Sequence, residues 1–309
     1  MDVCILNGGG EILLHRQMKA APAPFLKAVA PYREDLVVGV EGIFTWYWLA
    51  DLGAQEDMSF VLGHALSMKA IHGGQATNAQ IDAHTMAVLR RGGRLPQASG
   101  YPAAMRAPRD LLRRRRHLMR QRAERLAHRQ QTHSQAHLSE IGKQLADKAN
   151  RAGVAERCPD PAVQKRLEVD LALMGHDDRL RMDLALSMVH TAKADDAHPV
   201  YRLRSIPEVG KLLALVLRYE IHDIQRFPRV QEFVSSCCLV KWAQESAGKR
   251  DGTSGTKSGH AYRTWAFSEA AGLVLRKHPA GQNYLARLER RHAKGNALTV
   301  LAPQLARAV

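Results

Sequence analysis

The chain has 309 residues, and its 45 Lys and Arg residues against 30 Asp and Glu residues give it a formal net charge of +15. A hydrophobic fraction of 45% argues against wholesale disorder, and four cysteines without a CxxC pair argue against a disulfide framework or a cysteine zinc site. The longest apolar run, about six residues from Leu212 to Leu217, is too short to span a membrane, so we expect a cytoplasmic protein. Its positive charge suits a polyanion, which can be DNA, RNA or an anionic membrane surface.

Residues 1–101 predict an α/β domain. Val3–Leu6 and Ile12–Leu14 are apolar runs on either side of a glycine-rich turn, which is typical of a β-hairpin. Leu36–Val40 is nearly continuous in apolar residues, as in a strand buried on both faces, and Phe60–Leu62 looks like the next such strand. Because a helical segment lies between these two strands, we expect them to pair in parallel through a crossover.

Residues 102–195 predict a pair of long helices. Leu112, Met119 and Leu126 recur every seven residues, a spacing typical of an amphipathic helix and of a coiled coil. A second helix is expected over Ala162–Ala192, so the two helices can fold back as an antiparallel pair. The apolar face predicted for the second helix consists of Val169, Leu173, Leu180, Leu184 and Met188.

The first of these helices is strongly basic. Between residues 106 and 129, ten arginines are opposed by Asp110 and Glu124 alone, an excess of +8. Clustered Lys and Arg residues on one helix are the electrostatic footprint of nucleic-acid binding. The nucleic-acid contacts predicted here are Arg113, Arg114, Arg115, Arg116 and Arg120.

Residues 196–309 predict an all-α region with one long loop, Glu245–Gly259. The turn Ile206–Gly210, between two helical segments, resembles a helix-hairpin-helix. Such a turn would direct backbone N–H groups and Lys211 at a DNA phosphate without reading bases. An ordinary corner between two helices is the alternative interpretation of the same residues.

Two acidic residues in the first domain are candidate metal ligands. Glu41 follows the strand Leu36–Val40, and sites in open parallel sheets form outside the carboxyl ends of strands. Asp82 lies near the start of a predicted helix. The alternatives are a solvated or capping side chain for Glu41 and an acid favoured by the helix dipole for Asp82.

Ser246 is a candidate nucleophile in the flexible, basic stretch Glu245–Gly259, provided that a base or metal activates it. The alternative is a solvated connector or a set of phosphate contacts. The basic residues assigned to nucleic acid in this stretch are Lys249, Arg250 and Lys257. His133 and His137 have the spacing of a metal pair, but no acidic third ligand stands at motif spacing, so we interpret them as solvated helix residues.

Taken in order, these stretches resemble the DEDD-type transposases of the insertion-sequence one-hundred-and-ten group, which are serine recombinases associated with bridge RNAs. The resemblance runs over nearly the whole chain. It rests on Val38–Thr45, His72–Gly74, Ile81–His84, Ile206–Gly210 and Glu245–Gly248.

The resemblance implies an RNase H/RuvC-like domain over 1–101, a coiled-coil insertion over 102–195 and a C-terminal helical transposase domain over 196–309. It implies that Glu41 and Asp82 bind Mg²⁺ and that Ser246 attacks the DNA backbone. The partners that it implies are DNA, a structured guide RNA and further copies of the chain, in a bacterial-type cytoplasm where the bound protein would sit on the nucleoid.

The sequence departs from the family pattern at several positions. The first acid of the family belongs to a strand that would precede the Val3–Leu6 hairpin, so we expect that strand to be missing and a sheet edge to be exposed. Ala79 stands where the family has its third acid, and Glu208 stands where the hairpin has its first glycine.

With two of four acidic ligands absent, we expect a transposase whose strand cleavage is impaired. The main alternative is a non-catalytic nucleic-acid-binding protein that uses the basic helix. A junction nuclease that needs no serine and an arginine-rich scaffold for protein partners are two further alternatives.

Overall fold

The computed structural model describes residues 1–43, 45–72, 78–135, 144–194, 198–240, 242–246, 249–254, 260–290 and 294–309. The chain divides into two compact units, Met1–Ala103 and Ala104–Val309. The helices expected after the α/β domain, both the long pair and those of the C-terminal region, lie in the second unit.

The first unit combines short strands with short helices, as expected for an α/β domain. Its strands are β1 (Asp2–Leu6), β2 (Ile12–Gln17), β3 (Val37–Glu41) and β4 (Ser59–Gly63). Its α-helices are α1 (Pro22–Val29), α2 (Tyr47–Gln55), α3 (Ala65–His72) and α4 (Ala79–Arg91).

Strand pairing in this unit confirms the two local predictions. β1 and β2 form an antiparallel hairpin, and β3 and β4 pair in parallel with α2 in the crossover. Ile5 of β1 and Val38 of β3 are buried in the same apolar core with Phe25 and Leu49. In the part of the unit that the structure describes, no strand joins the two sheets, so β1 and β3 share a core without sharing backbone hydrogen bonds.

The second unit is built mainly from helices. These are α5 (Ala103–Gln135), α6 (Pro161–Ala194), α7 (His198–Arg204), α8 (Lys211–Ile221), α9 (Val230–Ser236), α10 (Ala261–Lys277), α11 (Pro279–Glu289) and α12 (Lys294–Arg307). It also contains the strands β5 (Trp242–Ser246) and β6 (Lys249–Ser254).

The strands β5 and β6 correct the expectation of an all-α C-terminal region. Ser246 pairs with Lys249 across a two-residue connection, and the antiparallel register extends to Trp242 and Ser254. The many Gly, Ser and Lys residues of this stretch predict a loop, because Gly and Lys are depleted in strands. The backbone pairing of β5 with β6 forms a hairpin despite that composition.

Ion pairs between α5 and α6 hold the long helices side by side. Arg122 Nε lies 2.8 Å from Asp178 Oδ1, and Arg125 pairs with Asp177. Since α5 residues that come later in the chain meet earlier residues of α6, the pair is antiparallel, as expected. α6 continues through Gly175 without a break.

The apolar face predicted for α6 is wrong for most of its length. Met188 is buried, but Val169, Leu173 and Leu180 are exposed by 49%, 41% and 38%. The side of α6 that is buried near its middle includes Asp177, which is only 5% exposed. Leu167 and Met174 are completely buried on the same helix, so the inward face of α6 combines apolar residues with the acids that pair with the arginines of α5.

The core of the second unit is centred on α8, whose residues from Leu213 to Leu217 are all buried. Phe233 of α9 and Phe267 of α10 pack edge to face with ring centroids 5.9 Å apart. Leu112 of α5 is buried in the same core, which ties the basic helix to the C-terminal helices. Within the described residues, no helix is long and apolar enough to cross a membrane.

Candidate functional site

The two acids expected to bind metal lie in the first unit, one on a strand and one on a helix. Glu41 is the last residue of β3 and stands opposite Gly63 of β4. Asp82 lies in the first turn of α4, where the Asn78 side chain caps the helix by accepting a hydrogen bond from the Ile81 N–H at 2.8 Å. Both acidic side chains are half-buried.

Helix α4 packs on β3 through Met86 and Gly39. A Cβ placed at Gly39 would lie 3.8 Å from Met86 Cε. Asp82 precedes Met86 by one helical turn and Glu41 follows Gly39 by two strand residues, so each acid is about 6 Å along its own element from this contact. One turn on a helix and two residues on a strand each return to the same face, which puts both acids on the surfaces where α4 and β3 meet.

These two acids do not fit the four-acid Mg²⁺ centre that the resemblance implies. Ala79, one turn before Asp82 on the same face of α4, presents a methyl group that cannot bind a cation. Across the part of the chain that the structure describes, no three His, Cys, Asp or Glu side chains are grouped so that they could hold a metal ion.

The four consecutive arginines of α5 have different surroundings. Arg113 donates from Nε to Glu220 Oε1 at 2.9 Å and from Nη2 to Oε2 at 3.1 Å, so its guanidinium is committed to the protein interior. Arg109, one turn earlier, donates from Nε to Glu220 Oε2 at 2.9 Å. By contrast, Arg114 and, further along α5, Arg120 are exposed. They are the residues of this helix best placed for a polyanion.

Arg116 packs against two aromatic rings of α10. Its Cζ lies 4.6 Å from the ring centroid of Tyr262 and 4.8 Å from that of Trp265. Arg113 Cζ also lies 4.5 Å from the Tyr262 ring. Cation–π contacts of this kind stabilise the packing of this part of α5 against α10.

The turn between α7 and α8 contains one residue with a left-handed backbone. Glu208, at the position of the expected glycine, has φ of 63°, in the left-handed region that glycine tolerates best. Ile206 and Val209 are buried and anchor the turn. Gly210 precedes the first residue of α8, Lys211, which is exposed. A cationic side chain thus stands at this helix start, as a phosphate contact requires, while the helix-hairpin-helix assignment itself stays a prediction.

The predicted nucleophile lies at the tip of the β5–β6 hairpin. The backbone pairing of Ser246 with Lys249 is described, but the side chains of Ser246, Lys249 and Arg250 and the whole of Lys257 lie outside the described residues. The same is true of the His133 side chain and of residue 137.

Residues 200–286 match the family model described as Transposase IS116/IS110/IS902 family. The matched stretch runs from α7 into α11 and contains the turn before α8, Lys211 and Ser246. The match supports a transposase of that family. No curated protein matches the chain.

The transposase-matched stretch also contains a buried polar group that sequence reasoning missed. Glu220 is completely buried, and its Oε2 lies 3.2 Å from His260 Nε2. Arg263 donates from Nε to the Glu220 carbonyl at 3.0 Å and from Nη1 to Ser236 Oγ at 3.1 Å, which ties α8, α9 and α10 together. The available signal was a single carboxylate inside the apolar helix that begins at Lys211, since a buried carboxylate requires cationic partners.

The Glu220 carboxylate is ionised near neutral pH. Burial alone would raise the pKa of Glu220, but hydrogen bonds from His260 and Arg113 and the charge of Arg109 hold it well below its usual range. Burial lowers the pKa of His260 despite the opposing effect of Glu220. The His260 Nε2 atom lies within hydrogen-bond distance of the Glu220 carboxylate, so the imidazole stabilises the ionised form of that acid.

Proposed function

We propose that this protein is a transposase of the matched family that binds DNA through α5 and the turn before α8, and whose own strand cleavage is impaired. The observation that carries the proposal is the family match over residues 200–286, which includes that turn and Ser246. The exposed cations Arg114, Arg120 and Lys211 support a nucleic-acid surface in this unit.

In the proposed reaction, Ser246 Oγ forms a bond to the phosphorus of the scissile phosphodiester. The bond from that phosphorus to one sugar oxygen breaks, and the sugar oxygen takes up the proton that the serine loses. Rejoining is the reverse exchange with another sugar hydroxyl, so neither step needs an oxidant or a reductant. The exposed basic residues of α5 would hold the DNA while the ester exchange takes place.

We expect strand cleavage to be impaired because this sequence lacks acidic metal ligands that the family has. Removing one ligand of a metal-assisted phosphoryl transfer costs several kcal/mol of charge stabilisation, and 1.36 kcal/mol corresponds to a factor of ten, so a loss of roughly a thousandfold is expected. Ala79 is the position at which the sequence shows this loss, because it faces the same way as Asp82.

The proposal is tested by incubating the purified full chain with Mg²⁺ and DNA that carries the ends of the element. We expect the unmodified chain to cleave this DNA slowly. Ser246→Ala should abolish the cleavage, and Ala79→Asp should accelerate it. Ser254→Ala, on the partner strand of the same hairpin, is the matched control and should cleave like the unmodified chain. Cleavage at an ordinary transposase rate would contradict the impairment, and cleavage that survives Ser246→Ala would contradict the role of the serine.

A non-catalytic nucleic-acid-binding protein is the second candidate function. Two observations favour it. Glu41 and Asp82 do not make up a four-acid centre, and α5 carries exposed arginines. It predicts binding that weakens steeply with salt and that neither Mg²⁺ nor Ser246→Ala changes. Comparing duplex DNA with a structured RNA, and measuring the mass of the complex in solution, tests the proposed guide RNA and the proposed multimer.

A further inference from the structure

Two arginines, one on α5 and one on α6, lie near each other beyond the last ion pairs of the long helix pair. These ion pairs join Arg125 to Asp177 and Arg122 to Asp178. Beyond them, Arg115 of α5 lies close enough to Arg181 of α6 for the two charges to repel, and burial together with Arg181 lowers the pKa of Arg115. The helix pair therefore holds two like charges together in a partly desolvated place.

Both guanidinium groups have a donor that lacks an acceptor. Among the residues that the structure describes, the buried Nε atoms of Arg115 and Arg181 have no hydrogen-bond partner. Arg115 Nη1 donates only to a weak acceptor, Met119 Sδ, at 3.2 Å. A buried donor without a partner destabilises the protein, and a guanidinium cannot relieve the cost by losing its proton.

The carboxylate beside Arg181 has little capacity left for a further donor. Asp178 already accepts from Arg122 Nε at 2.8 Å and from Arg151 Nη2 at 2.6 Å, and it lies 3.5 Å from Arg181 Nη2. Three guanidinium groups therefore share the Asp178 carboxylate, which leaves a local excess of +2 before Arg115 is counted. The region is short of anionic oxygen atoms rather than of positive charge.

We propose that Arg115 of α5 and Arg181 of α6 together form a binding site for one phosphate group of a nucleic-acid backbone. A phosphate offers several acceptor oxygens and a negative charge, and two guanidinium forks from different helices match its geometry. The site is reachable from solvent, because the Arg181 side chain is 32% exposed. The exposed Arg114 and Arg120, on the same helix as Arg115, would contact further phosphates of the same nucleic-acid strand. The choice of ligand rests on the proposed nucleic-acid function, but the anion site itself does not.

The first test uses inorganic sulfate and the full chain. Sulfate should raise the melting temperature of the unmodified protein above that in chloride of equal ionic strength, because a bound anion stabilises the folded state. Arg115→Gln and Arg181→Gln should each melt higher than the unmodified protein in chloride, since repulsion is relieved, and should lose the sulfate-specific rise. Arg114→Gln, adjacent but exposed, should keep that rise. An equal rise in all four proteins would overturn the site, as would single variants that melt lower in chloride.

The second test is the salt dependence of binding to a fluorescent DNA duplex. The slope of log Kd against log salt should fall by about 0.9 in the Arg115→Gln/Arg181→Gln double variant, the loss of one neutralised phosphate. A fall of about twice that size would mean two separate phosphates and would overturn the shared site, and so would an unchanged slope. A protein that binds no DNA but keeps the sulfate effect would refute the proposed function and leave the anion site standing.

Discussion

Glu220→Gln should destabilise the second unit strongly, because it removes the negative charge on which two arginines depend. Arg109 and Arg113 both lie 2.9 Å from the Glu220 carboxylate, and their side chains are 10% and 30% exposed. Removing one partner of a buried ion pair costs about 3–5 kcal/mol because it leaves an uncompensated charge. Arg113 can turn toward solvent while Arg109 cannot, so we expect a value near the lower end of that range.

Urea unfolding followed by far-ultraviolet circular dichroism measures this loss. Glu269→Gln is the matched control, since Glu269 is an exposed carboxylate on α10 and its removal should change the free energy of unfolding little. The pH dependence has a definite sign. The pKa of Glu220 is depressed in the folded protein, so its contribution is complete above the pKa of the unfolded chain and is lost as the pH falls below that value. A Glu220→Gln protein as stable as the control, or one that keeps the acid sensitivity of the unmodified chain, would refute this reasoning.

Three other outcomes follow from the second unit. Glu208→Gly should stabilise the protein by about 1 kcal/mol, because a non-glycine residue in the left-handed region is strained; an unchanged or lower melting temperature would contradict this. Cys237 is fully buried, and burial raises its pKa to about 11, so alkylation at pH 8 followed by mass spectrometry should leave it unmodified until urea is added. Asp177→Asn should destabilise the α5–α6 pair by about 3 kcal/mol, since Arg125 loses its partner, and equal stability in thermal unfolding would show that this ion pair is dispensable.

Local patterns in the sequence predicted the local structure well. The glycine-rich turn gave the β1–β2 hairpin, and the continuous apolar run at 36–40 gave the strand β3 that pairs in parallel with β4. These predictions succeed because the apolar pattern of a strand and the composition of a tight turn depend only on residues that are close together in the sequence.

The predictions that failed depended on partners far along the chain. The inward face of α6 carries Asp177 and Asp178 beside the buried Leu167 and Met174, and the acids are stabilised there by Arg122 and Arg125 of α5. Glu220 similarly depends on arginines more than a hundred residues earlier. Charge counts along α5 identified the basic helix but could not separate Arg113, which pairs internally, from Arg114, which is exposed.

The central claim is that Glu41 and Asp82 are the remaining ligands of one metal site. The most direct test is to measure whether the two acids bind the same cation once a third carboxylate is added. Isothermal titration of the full chain with Mn²⁺ should show no saturable binding, because two acids are too few. Ala79→Asp, which adds a carboxylate one turn before Asp82, should create a saturable site, and adding Glu41→Gln to that variant should abolish it. Saturable binding that appears with Ala79→Asp and survives Glu41→Gln would show that the two acids do not share a site, and no binding in any of these proteins would contradict the account as well.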